Sequence, residues 1–269
     1  MNWGFKMIKN ILSIIGILVI CTLFMGAVSA ADWTVNPGDS IQSTINNASN
    51  NDTIIINDNN GTAYTYTENL VINKTLQLKT INGTNVTIQA LNPSKSIIMV
   101  YNGGSGSIIQ GLTITGATNY VGIYLNQSSN CNITGNKITN NYHGIYLYKA
   151  YNTLITQNTL INNVKDGICV VNSTVNVKFN VITGNTRYGL FVLNNGNAYA
   201  TNNWWGKNIP NYICSTSWPS TCDIWNQNCI VNYDPWLNLT ITAPDTIHTG
   251  EDYSITADLT KDKNGNDTS

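Results

Sequence analysis

Charge is scarce in this chain. Only 10% of residues are Asp, Glu, Lys or Arg, and 13 basic against 14 acidic side chains leave a net charge of −1. A chain so weakly charged has no basic surface to draw it to nucleic acid or to an anionic membrane. Histidine is reduced to His143 and His248. From Gly106 to Asn203 the only acidic residue is Asp166. Glycoside hydrolysis normally sets two carboxylates about 5–10 Å apart across the scissile bond, and one group cannot fill both roles. A calcium-dependent lyase has candidate proton acceptors in Lys137, Lys149, Lys165, Lys178 and Arg187, but the acidic calcium ligands are missing. Three of the four Met fall within the first 25 residues, leaving Met99 alone. The stretch from Asp52 to Asn203 also lacks any 3.6-residue apolar stripe, which excludes helices as its main elements.

What is present begins with a leader. Lys6 and Lys9 precede an apolar run from Ile11 to Phe24, and Ala27-Val-Ser-Ala-Ala31 supplies small residues for cleavage after Ala30 or Ala31. This order predicts a secretory signal peptide over residues 1–31. Its apolar run of about 14 residues is short of the roughly 20 that span a bilayer, so no membrane span is expected after cleavage. Five Cys follow the leader. Export permits disulfides, and Cys214 with Cys222 or Cys229 would staple a loop. An odd count leaves at least one thiol free or paired between chains.

The body repeats. The tetrads Gly122-Ile-Tyr-Leu125, Gly144-Ile-Tyr-Leu147, Gly167-Ile-Cys-Val170 and Gly189-Leu-Phe-Val192 start 22, 23 and 22 residues apart. Asn136, Asn158, Asn180 and Asn202 keep an interval of 22, as do Asn141, Asn163 and Asn185. Within each repeat, short runs alternate β-branched and polar residues, the mark of strands with one buried face. Strands that stack on their own copies one repeat away must run parallel. The reading is an all-β, right-handed parallel β-helix of about seven coils over residues 52–203. Leucine-rich repeats share the period, but their Leu pattern and helical return do not match Ile-Thr-Gly-Asn-Lys-Ile.

Asn is the commonest residue, with 44 copies. Its columns are expected to fill left-handed turns and to form amide ladders between coils, without a ligand. His143, in a turn with no acidic or nucleophilic companion in its own coil, reads as solvated. Asp52, Asp58 and Glu68 in the early coils can pair with one another. Tyr124, Tyr146 and Phe191, with Cys169 between them, neighbour the inward Ile and Leu and so should point outward, where aromatic rings suit sugars, another protein, or one another.

The ends differ. Asp39 or Ser40 can cap a short helix carrying Ile41, Ile45 and Ala48 on one face, closing the first coil within an N-terminal cap over residues 32–51. Trp204 and Trp205 either cover the last coil or offer a sugar platform, in a C-terminal cap over residues 204–238. From residue 239 the alternation is like that of a β-sandwich, but too short to close one. It reads as an incomplete immunoglobulin-like segment over residues 239–269.

These motifs carry a resemblance. Gly144-Ile-Tyr-Leu147 and Ile133-Thr-Gly-Asn-Lys-Ile-Thr-Asn-Asn141 resemble the right-handed parallel β-helix repeats of adhesin-like surface proteins of methanogenic archaea. Pro37-Gly-Asp-Ser-Ile-Gln42, Asn203-Trp-Trp-Gly206 and Val231-Asn-Tyr-Asp-Pro-Trp-Leu237 are similar to the start and end of such domains. Thr256-Ala-Asp-Leu-Thr260 and Asn264-Gly-Asn-Asp-Thr-Ser269 resemble the opening of a bacterial immunoglobulin-like repeat. The resemblance implies a secreted or cell-surface protein that binds cell-wall or host glycans or surface proteins, or that serves as a wall element. A polysaccharide lyase or hydrolase of the same fold is the alternative. Relatives of the repeat also serve in copper delivery. Soft metals want clustered Met, Cys or His, so neither a metal site nor a cofactor is expected. Eleven Asn-X-Ser/Thr sequons, from Asn47 to Asn266, are candidate glycosylation sites.

Overall fold

A computed structural model describes residues 29–81, 85–212, 222–242 and 256–268. The candidate leader up to residue 28, Cys214 and His248 lie outside the described residues. Strands form wherever β-branched residues alternate with polar ones, and they gather into three parallel sheets of nine, seven and six strands. The first sheet runs from Asp32–Val35 through Asn132–Thr134 to Ile230–Asn232. The second runs from Leu70–Ile72 to Cys222–Asn226, and the third from Tyr64–Thr67 to Val181–Thr183. Chain order visits the sheets in turn, so each circuit makes one coil and about seven coils stack.

The inward columns are in register. Ile123, Ile145, Ile168, Leu190 and Ile224 follow one another along the second sheet. Ile133, Ile155 and Val177 do so along the first, and Ile138, Leu160 and Ile182 along the third. All are buried, so one continuous apolar core runs down the solenoid axis. The tetrad glycines are explained by close approach: a Cβ on Gly144 would lie 2.5 Å from the Gly167 carbonyl oxygen and 3.1 Å from Asn163 Nδ2.

The Asn ladders exist, with two changes from the sequence reading. Turning and bonding fall to adjacent residues. Positive φ values belong to Gly135, Gln157, Phe179 and Asn202, each directly before an inward Asn. In the second ladder they belong to Asn140, Asn162 and Gly184. The ladder amides themselves donate in two directions. Asn158 Nδ2 reaches the Ile133 carbonyl one coil back (2.8 Å) and Asn180 Oδ1 one coil forward (3.0 Å). The second change concerns the last rung. Asn180 bonds to Asn203 Oδ1, through both its backbone N–H (3.0 Å) and Nδ2 (2.9 Å). Asn202 is the turn residue, and its side-chain oxygen has no hydrogen bond. The final coil is one residue longer, so an interval of 22 lands one short.

At the front, Ser40 caps the helix α1, Ile41–Asn47, by accepting from Ser43 N–H, and Ile41 and Ile45 bury their side chains on the first coil. Glu68 completes the cap, accepting from the Ile41 and Gln42 N–H groups at 2.8 and 3.0 Å. Asp52 accepts from the N–H groups of Ala31 and Ser49 and from Trp33 Nε1, each at 2.8 Å. Asp58 accepts from the Gly61 N–H at 3.0 Å, so each of the three early acids has its own donors and none pairs with another.

At the far end Trp205 is 1% exposed and belongs to the core, while Trp204 is half-buried and bridges to Val181. Core packing against the last coil, beside Gly189, takes up the Trp205 ring. The two cannot form a sugar platform. Cys222 is disulfide-bonded. Cys229 is free, contrary to its place among the disulfide candidates. It follows a tight turn that directs its sulfur to the Gln227 carbonyl at 3.1 Å. Cys131 and Cys169 are free and buried. Leu237–Thr242 and Thr256–Asp262 then form an antiparallel pair. No helix among the described residues is long and apolar enough to cross a membrane.

Candidate functional site

On the second sheet the outward column reads Tyr124, Tyr146, Cys169, Phe191 and Trp225, in register across five strands. The alternation that buries Ile123 and Leu125 turns Tyr124 out, and the same holds for Tyr146 and Phe191. The column is interrupted rather than continuous. Cys169, 2% exposed, is too short to continue the aromatic surface between Tyr146 and Phe191.

Two aromatic clusters result. Tyr124 and Tyr146 meet edge to face with centroids 5.1 Å apart, and Tyr120 lies 6.5 Å from Tyr124. Tyr142 from the preceding turn and His143 at the start of the same strand as Tyr146 close the group, with His143 5.5 Å from Tyr146. Together with Asn119 and Val121 these residues line a cavity of about 310 Å³. Desolvation by these neighbours raises the phenols of Tyr124 and Tyr146 above their ordinary range, so both remain neutral donors. Phe191 belongs to the second cluster, with Tyr188 at 5.1 Å, Trp225 at 5.0 Å and the Arg187 guanidinium 4.3 Å from its ring. The structure thus unites Tyr124 and Tyr146, sets Phe191 apart, and removes Trp205 from the surface.

His143 corrects the sequence reading. It opens the strand His143–Tyr148, is 8% exposed, and sets Nδ1 2.9 Å from Asp166 Oδ2 on the next coil. That contact is out of line for a ring N–H hydrogen bond, so Nδ1 makes a close polar approach without an aligned bond. Asp166 is fully buried and held by Arg187 in a two-pronged pair, Nε to Oδ1 at 2.7 Å and an outer nitrogen to Oδ2 at 2.5 Å. Reading within one coil hid this group. The signal was a column: Val121, His143, Asp166 and Tyr188 each directly precede a tetrad glycine, and the ladder aligns Val121 with His143 and Asp166 with Tyr188.

Three sheets wound coil upon coil, with an open aromatic cavity on one of them, define a right-handed parallel β-helix protein. More particularly, the chain belongs to the NosD family, described as periplasmic copper-binding protein, whose model matches residues 42–232. No curated protein matches the chain. Among solved structures it is similar to pectate lyase Pel9A (TM-score 0.54, 13% identity), over 78% of this chain and 60% of the lyase. It is also similar to the catalytic domain of a GH87 α-1,3-glucanase in complex with nigerose (TM-score 0.50, 13% identity), over 86% of this chain and 50% of that domain. At such identity these likenesses establish the fold.

The family description implies copper, and the described residues contain one cluster on which to test it. His143, Asp166 and Cys169 bring a ligand atom each within 4.8 Å of one another. Copper binds through unspent nitrogen and thiolate donors. Here the carboxylate is already closed by a guanidinium, which puts a fixed positive charge where an ion would approach. Burial pushes the Cys169 thiol well above its ordinary range, which disfavours the thiolate that copper would take. These residues do not fit a resident copper ion.

Proposed function

We propose that this is an exported β-helix protein that binds carbohydrate through the aromatic cavity of its second sheet, without cleaving it. One observation carries the reading: Tyr120, Tyr124, Tyr142, Tyr146 and His143 surround a single cavity of about 310 Å³, open to solvent and within the size range of small-ligand sites. Tyrosine offers an apolar ring for the C–H face of a sugar and a hydroxyl for its polar edge. Export is supported by the periplasmic description of the family and by the leader-like residues 1–31. Binding without cleavage is supported by the state of Asp166, the sole carboxylate of the regular coils, which is buried and spent on Arg187. Among the described residues, no carboxylate pair of the kind hydrolysis requires lines the cavity.

The test is a glycan-array screen of the intact chain beside Tyr124→Ala and Tyr146→Ala, with melting curves to confirm that both variants fold. Each variant should weaken binding about tenfold, the ~1.4 kcal/mol scale of an anchoring side chain. An array without a hit, or variants that bind as well as the parent, would overturn the reading. Shortened polymer products from the same glycans would overturn the non-enzymatic part alone.

A further inference from the structure

The turn that leads into the second sheet passes beside the cavity once per coil, and hydrogen bonds tie its successive copies together. Asn119 N–H donates to the Pro93 carbonyl (3.2 Å), His143 to Tyr120 (3.2 Å), Lys165 to Tyr142 (2.7 Å) and Arg187 to Lys165 (2.8 Å). This column of turns carries Lys95, Lys165 and Arg187. The acids at or beside these turns are spent. Glu68 caps α1 through two N–H groups, Asp166 is closed by Arg187, and Asp223 pairs with Lys207 at 3.0 Å. Arg187 is spent in the same way. Lys95 and Lys165 have no acidic partner among the described residues. The Lys165 ammonium lies 4.9 Å from the centre of the Tyr142 ring, one wall of the cavity. In a chain whose net charge is −1, this rim is locally positive.

We infer that the cavity selects an acidic sugar, with its ring against Tyr124 and Tyr146 and its carboxylate toward Lys165. This rests on the carbohydrate reading above. An ammonium beside an aromatic wall recognises a ring that bears an anion at its edge, whereas a neutral sugar gains only the aromatic contact. The cavity draws its lining from two successive coils, about 4.8 Å apart, close to the length of one sugar unit in an extended chain.

Short oligomers of galacturonate, glucuronate and mannuronate, each as free acid and as methyl ester, serve as probes in calorimetric titrations of the intact chain. At least one acid should bind about five- to tenfold more tightly than its ester, and 0.5 M salt, as a rough screening level, should erase the difference. Lys165→Ala should bring the acid down to the affinity of the ester and leave the ester unchanged, while Lys165→Arg retains the preference. Acid and ester binding alike, or a preference that survives Lys165→Ala, would overturn the inference and leave carbohydrate binding standing. Absence of binding by all six probes, alongside hits with neutral glycans on the array, would also overturn it. Failure on every probe and on the array would remove both.

Discussion

Gln157 takes a positive φ of 56° and Asn158, the next residue, points inward and ties three coils together. The same pairing recurs as Phe179 with Asn180 and Asn202 with Asn203. Removing an inward amide strands buried donors on the preceding coil, which costs about 1–3 kcal/mol. Asn203→Gly should therefore destabilise the chain by that amount in urea unfolding. Asn202→Gly should fall within ~0.5 kcal/mol of the parent, because glycine adopts the left-handed conformation freely. Equal losses would show that the two positions do not divide the work. The ladders were legible in the sequence as intervals of 22, but which of two adjacent Asn turned inward was not. That depends on the backbone conformation of the residue before it and on the length of the last coil.

At the scale of elements, the front of the solenoid relies on two acids. Glu68 ties α1 to the first coil, while Lys74 donates to the Asn46 and Ala48 carbonyls at 3.0 and 2.6 Å at the other end of the same helix. Asp52 accepts two backbone N–H groups and the Trp33 indole, and these bonds hold its carboxyl below the ordinary range. A group whose pKa is depressed by folding adds stability above its unfolded pKa of about 3.9, and that contribution vanishes as pH falls through the lower folded value. Asp52→Asn should narrow the gap in unfolding midpoint between neutral and acid pH, with the parent losing more stability than the variant below about pH 4. Identical acid sensitivity in the two proteins would exclude the role. The helix could be read from Ser40 and the Ile41, Ile45, Ala48 spacing. Its acidic cap could not, since Glu68 lies 27 residues beyond Ile41.

The whole molecule is a stack in which each coil touches mainly its neighbours, so a coil can be removed without changing the register of the rest. Joining Asn136 directly to Thr159 deletes one repeat at equivalent positions, since Lys137 pairs with Thr159 across the third sheet. The shortened protein should keep its β-sheet circular dichroism and a cooperative melt at lower temperature. It should lose glycan binding, because Tyr142, His143 and Tyr146 leave with the repeat. Retained binding would move the site elsewhere on the solenoid. The architecture was readable because period, alternation and punctuation agree along the chain. The His143, Asp166 and Arg187 group was not, because each member comes from a different coil and looks isolated within its own.

The amide ladders also give the stack a direction. The Oδ1 of each inward Asn accepts from the coil before it, so the forward-facing donors of a coil find their acceptors only when the following coil has been laid down. Asn203 ends the series with its amide bonded to the Val177 carbonyl one coil back and to the Ala200 and Thr201 carbonyls of its own coil, with no further Asn ahead of it in the ladder among the described residues. A chain that emerges N-terminus first thus meets its bonding partners in the order in which it is made. The growing end is always the incomplete one, and Asn203 is the full stop.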